Sequence, residues 1–418
     1  MIDVRAHLAR KPLLFDGGMG TYYKAKPGTE CEQGNLLDPA GVRKVHREYL
    51  AAGAEAIKTN TFGLPRMAAA RQPDWQALAR AGWKLAAEAA GETGAAVFAD
   101  LGPAPDTEAA PAGSIYTAVA RCFVEQGARN FLFETLSSDA GVLEAVQAVK
   151  AQVPDAFVLV SFAVLPDGYT REGMYSKDLV RRMTESGIVD AVGFNCVSAP
   201  GAMRTLVQQL GSTALPLSVM PNAGYPVVTR TQVKYQGKPE YFAKELARIA
   251  AEGVRILGGC CGTTPAHIAA LRAALDSLPA VEKAAPAVQV STPEAPTVEK
   301  DDAFLRKLNA GKKVIAIELD SPKDADLTNY LAGAKRLQAA GADLLTIADC
   351  PIARARMDSS LVACRVHREL GLCTLPHMTC RDRNLNATKA LLLGLYAEGV
   401  REVLAITGDP IPTAERDE

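Results

Sequence analysis

The stretch VRILGGCCGTTPAHI, Val254–Ile268, reads as a strand, a glycine-rich turn and the start of a helix. VRILGG is apolar and β-rich. Thr264 suits a helix N-cap, with Pro265 in the first turn. His267, in that same turn, reads as a packing residue. Between the two elements stand Cys260 and Cys261. A disulfide between them is disfavoured, because neighbouring Cα atoms lie about 3.8 Å apart and unstrained disulfides need roughly 4.4–6.8 Å. Successive strand side chains point to opposite faces. The two sulfurs therefore converge only if the backbone kinks, and Gly258, Gly259 and Gly262 are expected to supply that freedom through positive φ. A metal ion would give such convergence a purpose.

Seven similar strands precede this one: LLFD, EAIKTN, AAVFAD, NFLFET, FVLVSF, AVGFNC and LPLSVM. Amphipathic helical segments separate them. Eight βα repeats over residues 1–278 predict an α/β fold, a closed (β/α)8 TIM barrel, with an open doubly wound sheet as the rival. Residues 279–300, rich in Pro, Ala and charge, read as a linker. The βα rhythm then restarts with KVIAIELD, DLLTIAD, CTLPHMTC and EVLAIT, so residues 301–418 read as a partial (β/α) barrel, truncated at four units. Its apolar strand edge would need cover.

In 418 residues the net charge is −1, which gives no electrostatic case for nucleic acid or a membrane surface. No apolar run is long enough to span a bilayer. The N-terminal residues lack a signal-peptide pattern, and the nine cysteines read as reduced thiols or ligands in a cytoplasmic protein.

In such barrels chemistry gathers at the C-terminal ends of the strands. Here those ends carry Asp16, Asn60, Glu134, Cys196, Asn222, and Cys260 with Cys261. Cys196 lies two strands from the vicinal pair. Three thiolates suit zinc and leave one coordination position open, as in catalytic sites. Cys31, Cys122, Cys364 and Cys373 read as small buried apolar residues.

Taken together, DGGMGT, TNTFG, FET, GFNC, PNAG and GGCCGTTPAHI resemble the zinc-dependent homocysteine S-methyltransferase family over essentially the whole first barrel. The resemblance implies that Cys196, Cys260 and Cys261 bind Zn2+, which the homocysteine sulfur joins as the reacting ligand. It implies that Asp16, Glu134 and the backbone near Gly18 and Met19 hold the amino-acid end, and the strand-end residues Asn60 and Asn222 are further expected substrate contacts. Asn222 sits in a PNAG motif similar to that of cobalamin-dependent methionine synthases, where the asparagine fills the open position before substrate arrives.

AIELDSPKD, LPHMTCRDRN and LAITGDP resemble the first half of methylenetetrahydrofolate reductases, a flavin-dependent barrel family. That resemblance implies a proton-handling role at folate nitrogen for Glu318 and a flavin or folate contact for Asp409. FAD is expected only if the barrel is complete. The family's usual EFFPP reads ELDSP here, and its threonine-tyrosine strand end reads ADCP. The whole resembles bacterial bifunctional proteins that join the two activities.

The expected reaction is methyl transfer to L-homocysteine, giving methionine. The expected donor is S-methylmethionine or S-adenosylmethionine. A methyl-corrinoid or methyltetrahydrofolate is the alternative, and a non-catalytic zinc or thiol sensor is a second one. A corrinoid protein and a second copy of the chain are the macromolecular partners left open.

Overall fold

Each parallel strand of the first unit turns one face inward and one toward the surrounding helices. In order, the strands are β1 (Leu13–Leu14), β2 (Ala56–Lys58), β3 (Ala96–Leu101), β4 (Asn130–Leu136), β5 (Phe157–Phe162), β6 (Ala191–Asn195) and β7 (Leu217–Met220). A hairpin follows, β8 (Pro226–Val228) with β9 (Val233–Tyr235), and then β10 (Ile256–Leu257). The computed structural model describes residues 2–26, 28–108, 110–224, 226–228, 233–235, 237–278, 303–381 and 383–409. The expected linker, 279–300, lies outside the described residues.

The parallel sheet runs β1-β10-β7-β6-β5-β4-β3-β2, and a bridge between Phe15 and Ala56 joins its two ends. The expected closed barrel is thus present, and each of its eight strands coincides with a predicted segment, β3 and β4 running one residue beyond it to Leu101 and Leu136. The antiparallel hairpin was not foreseen. It lies between β7 and the helix Pro239–Ala251.

The inward face is apolar low in the barrel. Leu13, Phe15, Ala56, Ala96, Phe98, Leu132, Phe157, Leu159, Ala191 and Ile256 form one buried cluster, closed from below by Val4 and Leu8 of the helix Val4–Leu8. The rings of Phe98 and Phe157 meet edge to face with centroids 6.0 Å apart, a favoured aromatic geometry. The outward residues, such as Ile57, Val97, Phe133, Val160 and Phe194, pack with the helices in a second, larger cluster. Alternation carries the inward face upward to Lys58, Asp100, Glu134, Ser161 and Asn195 at the strand ends. All five are buried. A dry aromatic floor therefore supports a polar layer at the C-terminal mouth, where (β/α)8 barrels carry their sites.

The second unit, within residues 291–418, is a parallel sheet of β11 (Ala316–Glu318), β12 (Leu344–Ile347), β13 (Cys373–Thr379) and β14 (Leu404–Ile406), in that order. All four strands match predicted ones. Burial alternates strictly along β13: Thr374, Pro376 and Met378 are buried, while Cys373, Leu375, His377 and Thr379 are half-exposed. Leu345 and Ile347 pack on the helices Thr328–Ala339 and Ser359–Leu370 through Tyr330, Ala334, Val362 and Val366. Edge-strand Leu404 is 42% exposed. Among the described residues, no helix is long and apolar enough to cross a membrane.

Candidate active site

The sulfurs of Cys196, Cys260 and Cys261 all lie within 4.8 Å of one another at the barrel mouth, with Cys196 Sγ and Cys261 Sγ 3.8 Å apart. Of the three turn glycines only Gly262 has positive φ, at 78°. Gly258 and Gly259 serve close approach instead: a Cβ there would lie 2.7 Å from Phe15 Cβ and 2.4 Å from Thr263 Oγ1 respectively. The unusual backbone falls at the other cysteine-bearing strand end, where Cys196 (φ 58°) and Val197 (φ 31°) are left-handed without being glycine. Such positions are uncommon and costly for ordinary residues. Here they turn the Cys196 thiol back toward the vicinal pair.

Hydrogen bonds from Cys196 and Cys260 hold Cys261 down to about 3, against burial, and the Tyr235 hydroxyl adds a further donor. Cys260 is pushed well above the ordinary thiol range by the hydrogen bonds it donates to its partners.

A cavity of about 280 Å³ adjoins the sulfurs. Its wall includes Gly18, Met19, Lys58, Asn60, Asp100 and Glu134. Glu134 Oε2 accepts a hydrogen bond from Asn195 Nδ2 at 3.1 Å. Asn195 also donates to Thr135 Oγ1 and accepts from the Thr135 amide and the Ser161 hydroxyl. Burial raises the Glu134 pKa, with Lys58 opposing the rise.

Asp16 is 1% exposed, and its Oδ1 accepts no hydrogen bond among the described residues. Its Oδ2 accepts the Lys58 backbone N–H at 3.0 Å, and Lys58 Nζ lies 3.3 Å from Oδ1. The same ammonium donates to the carbonyl of Gly259 at 3.2 Å, so Lys58 ties the ends of β1, β2 and β10 together. Burial opposes the charge on Lys58, but Asp16, Glu134 and Cys260 outweigh it and raise its pKa. Gly18 donates its N–H to Thr263 Oγ1. The Asn60 side chain is occupied by Cys31 and Asn35, so it braces the wall. Asn222 is buried, and its Oδ1 has no hydrogen-bond partner among the described residues. His267 forms a reciprocal cap with Thr264 and bonds the Gly237 carbonyl, which makes it a structural residue.

Lys58, Asp100, Asn195 and Tyr235 escaped the sequence reading. A signal existed for the first two. Lysine interrupts the apolar run before TNTFG, and Asp100 ends the third strand as Asp16 and Glu134 end others.

In the second unit, Glu318 is exposed at the end of β11. Asp409 follows β14, where its Oδ2 accepts the Ile352 N–H at 2.8 Å.

A family model described as homocysteine S-methyltransferase matches residues 13–275. The chain belongs to the homocysteine S-methyltransferase family. Its second unit matches a methylenetetrahydrofolate reductase model over residues 303–418, so two family modules are fused in one chain. The homocysteine S-methyltransferase of Escherichia coli is 29% identical over 296 residues, which is 62% of this chain and 94% of that protein. The methionine synthases of Mycobacterium tuberculosis and Mycobacterium leprae are 28% and 31% identical over 68% and 65% of the chain. The chain spans about a quarter of the length of those two relatives, 26% and 25%. Among solved structures, the metallated homocysteine methyltransferase MmuM from Escherichia coli aligns with a TM-score of 0.53 and 25% identity, covering 65% of this chain and 99% of that one.

Proposed function

We propose that the first unit transfers a methyl group to the sulfur of L-homocysteine, forming methionine. The observation that carries this reading is the convergence of three cysteine sulfurs beside a cavity walled by buried carboxylates. The donor set fits zinc, a borderline-soft ion that favours thiolates, and Cys196, Cys260 and Cys261 would hold it. The unpartnered amide oxygen of Asn222 is suited to the remaining position before substrate enters. Zinc bound there keeps a substrate thiol deprotonated near neutral pH, where a free thiol of pKa about 8.5 is mostly protonated.

The chain's own residues do the rest. Glu134, held by Asn195, faces the amino-acid end of the substrate. Gly18 and Met19 line the same wall, Asn60 braces it, and Asp16 acts through Lys58. The substrate sulfur attacks the donor methyl carbon, a new C–S bond forms, and the donor leaves with the electron pair of its broken bond.

A sulfonium donor, S-methylmethionine or S-adenosylmethionine, is the first choice, since the Escherichia coli relative named homocysteine S-methyltransferase is matched over nearly its full length. The methionine synthase relatives and the reductase-like second unit favour a corrinoid or methyltetrahydrofolate donor as the second reading. Glu318 and Asp409 are the proposed folate and flavin contacts of that unit. The test is methionine formation from homocysteine with each of the four donors, run beside zinc analysis. A zinc-replete protein that forms no methionine with any donor would overturn the reading.

A further inference from the structure

We propose that Thr21 and Thr263 are positioning residues that determine specificity: their hydroxyls clasp the turn of vicinal cysteines to the glycine loop after β1, and so set the length of thiol that the cavity accepts. The proposal rests on the homocysteine reading above. It concerns how homocysteine is told from cysteine, which is one methylene shorter.

The two loops are alike in sequence. GGMGT, Gly17–Thr21, follows β1, and GGCCGT, Gly258–Thr263, follows β10. These strands pair in the sheet, so the loops lie side by side at the barrel mouth. Each loop ends in a threonine, and each threonine accepts a glycine N–H of the other loop. Gly18 donates to Thr263 Oγ1 at 2.9 Å, and Gly262 donates to Thr21 Oγ1 at 2.9 Å.

Thr263 is fully buried. Its hydroxyl also donates to the Cys260 carbonyl at 2.6 Å, so one oxygen ties the backbone of a candidate ligand to the backbone of Gly18. A Cβ on Gly17 would lie 2.6 Å from that oxygen, and one on Gly259 2.4 Å. The hydroxyl fits between the loops because neither residue carries a side chain. Two further bonds hold the clasp in place. The Tyr49 hydroxyl donates to the Thr263 carbonyl at 2.9 Å, and the Gly259 N–H donates to the Asp16 carbonyl at 3.0 Å.

Cys260 and Cys261 line the cavity together with Gly18, Met19 and Thr21. With the substrate sulfur at the cysteine turn and its amino-acid end at the Gly18–Met19 wall, the separation of the two loops is the measure of the carbon chain between them. A fitted site discriminates one methylene by about 10- to 200-fold, and a misplacement of about 1 Å can cost about 100-fold. Side chains that hold a site by hydrogen bonds to its ligands' backbone set such distances.

The experiment is a calorimetric titration of the zinc-loaded full chain with homocysteine and with cysteine, zinc content being measured beside it. Wild type should prefer homocysteine. In Thr263→Val and in Thr21→Val, which keep the shape and lose the hydroxyl, the ratio of homocysteine to cysteine affinity should fall by about 10-fold. Thr263→Ser and Thr21→Ser keep the hydroxyl and should hold the ratio within about twofold of wild type. Zinc should stay at about one per chain in all four variants, because the three thiols remain. Thr21 is exposed, which keeps the test decisive if Thr263→Val folds poorly. Equal binding of both thiols by wild type, an unchanged ratio in both valine variants, or a fall that the serine variants share would overturn the clasp as the measure of length and leave the homocysteine reading standing. A zinc-loaded wild type that binds neither thiol would overturn that reading, and this proposal with it.

Discussion

Asn195 Nδ2 donates to Glu134 Oε2 at 3.1 Å, and the next residue in the chain is the metal-ligand candidate Cys196. One strand end thus sets both a candidate ligand sulfur and an acid that lines the cavity. Replacing Asn195 by Ala should leave zinc bound, since all three thiols remain. It should lower kcat/KM for homocysteine by about 10- to 100-fold, the usual cost of losing a partner that orients a metal site. Full activity in this variant would show that Glu134 needs no such support.

Zinc content follows from the sulfur triad. The full chain should carry about one zinc in the first unit. Alanine at Cys196, Cys260 or Cys261 should strip metal and methionine formation together, while circular dichroism keeps the barrel spectrum. Full zinc occupancy in Cys261→Ala would sink the ligand assignment.

Substrate entry should be visible at the metal. Zinc-edge X-ray absorption should change from three sulfurs and one light atom to four sulfurs when homocysteine is added. Binding should release roughly one proton near neutral pH, seen as a buffer-dependent enthalpy. Asn222→Ala should keep its zinc and lose little homocysteine affinity. A sulfur count that stays at three with saturating homocysteine would refute activation of the thiol at zinc.

Gly18 faces the vicinal cysteines. A Cβ there would lie 2.6 Å from the backbone oxygen of Cys260, which cannot swing aside as a side chain can. Gly18→Ala should therefore cost about 1–3 kcal/mol by overpacking and weaken zinc binding more than Gly20→Ala, where a Cβ meets nothing within 4 Å. Denaturant midpoints and competition with a chelator would decide. Equal behaviour of the two variants would contradict the close approach.

His46 is fully buried, neither ring nitrogen has a partner among the described residues, and burial holds its pKa down to about 4. An unfolded chain, with a histidine pKa near 6.5, binds more protons than the native one between those values. The stability this residue lends is therefore complete above about pH 6.5 and is lost as pH falls toward 4, an effect of about 3 kcal/mol. His46→Leu should flatten the pH dependence of the urea midpoint between pH 6.5 and 4. An unchanged slope would mean that His46 is not the group responsible.

The barrel was legible because apolar strands and amphipathic helices alternate eight times, and the cluster of three sulfurs because cysteines fell at strand ends. What stayed hidden depends on pairing across strands. Nothing local in EAIKTN says that Lys58 will reach Asp16 and Gly259, far away in the chain. The roles of Gly258 and Gly259 were likewise invisible, because close approach is a property of neighbours and not of the turn. The hairpin β8–β9 was hidden by its shortness, and with it went Tyr235 as a donor to Cys261.

The ligand candidates Cys196 and Cys261 are 65 positions apart, and between them run β7, the hairpin and β10. A metal joining them is a removable cross-link on a long loop, and closing a long loop is worth most in chain entropy. Chelation should therefore do more than stop turnover. It should open the span between these cysteines to proteases before the rest of the barrel, so that resistance to digestion would report how well the chain is supplied with metal even when no substrate is present.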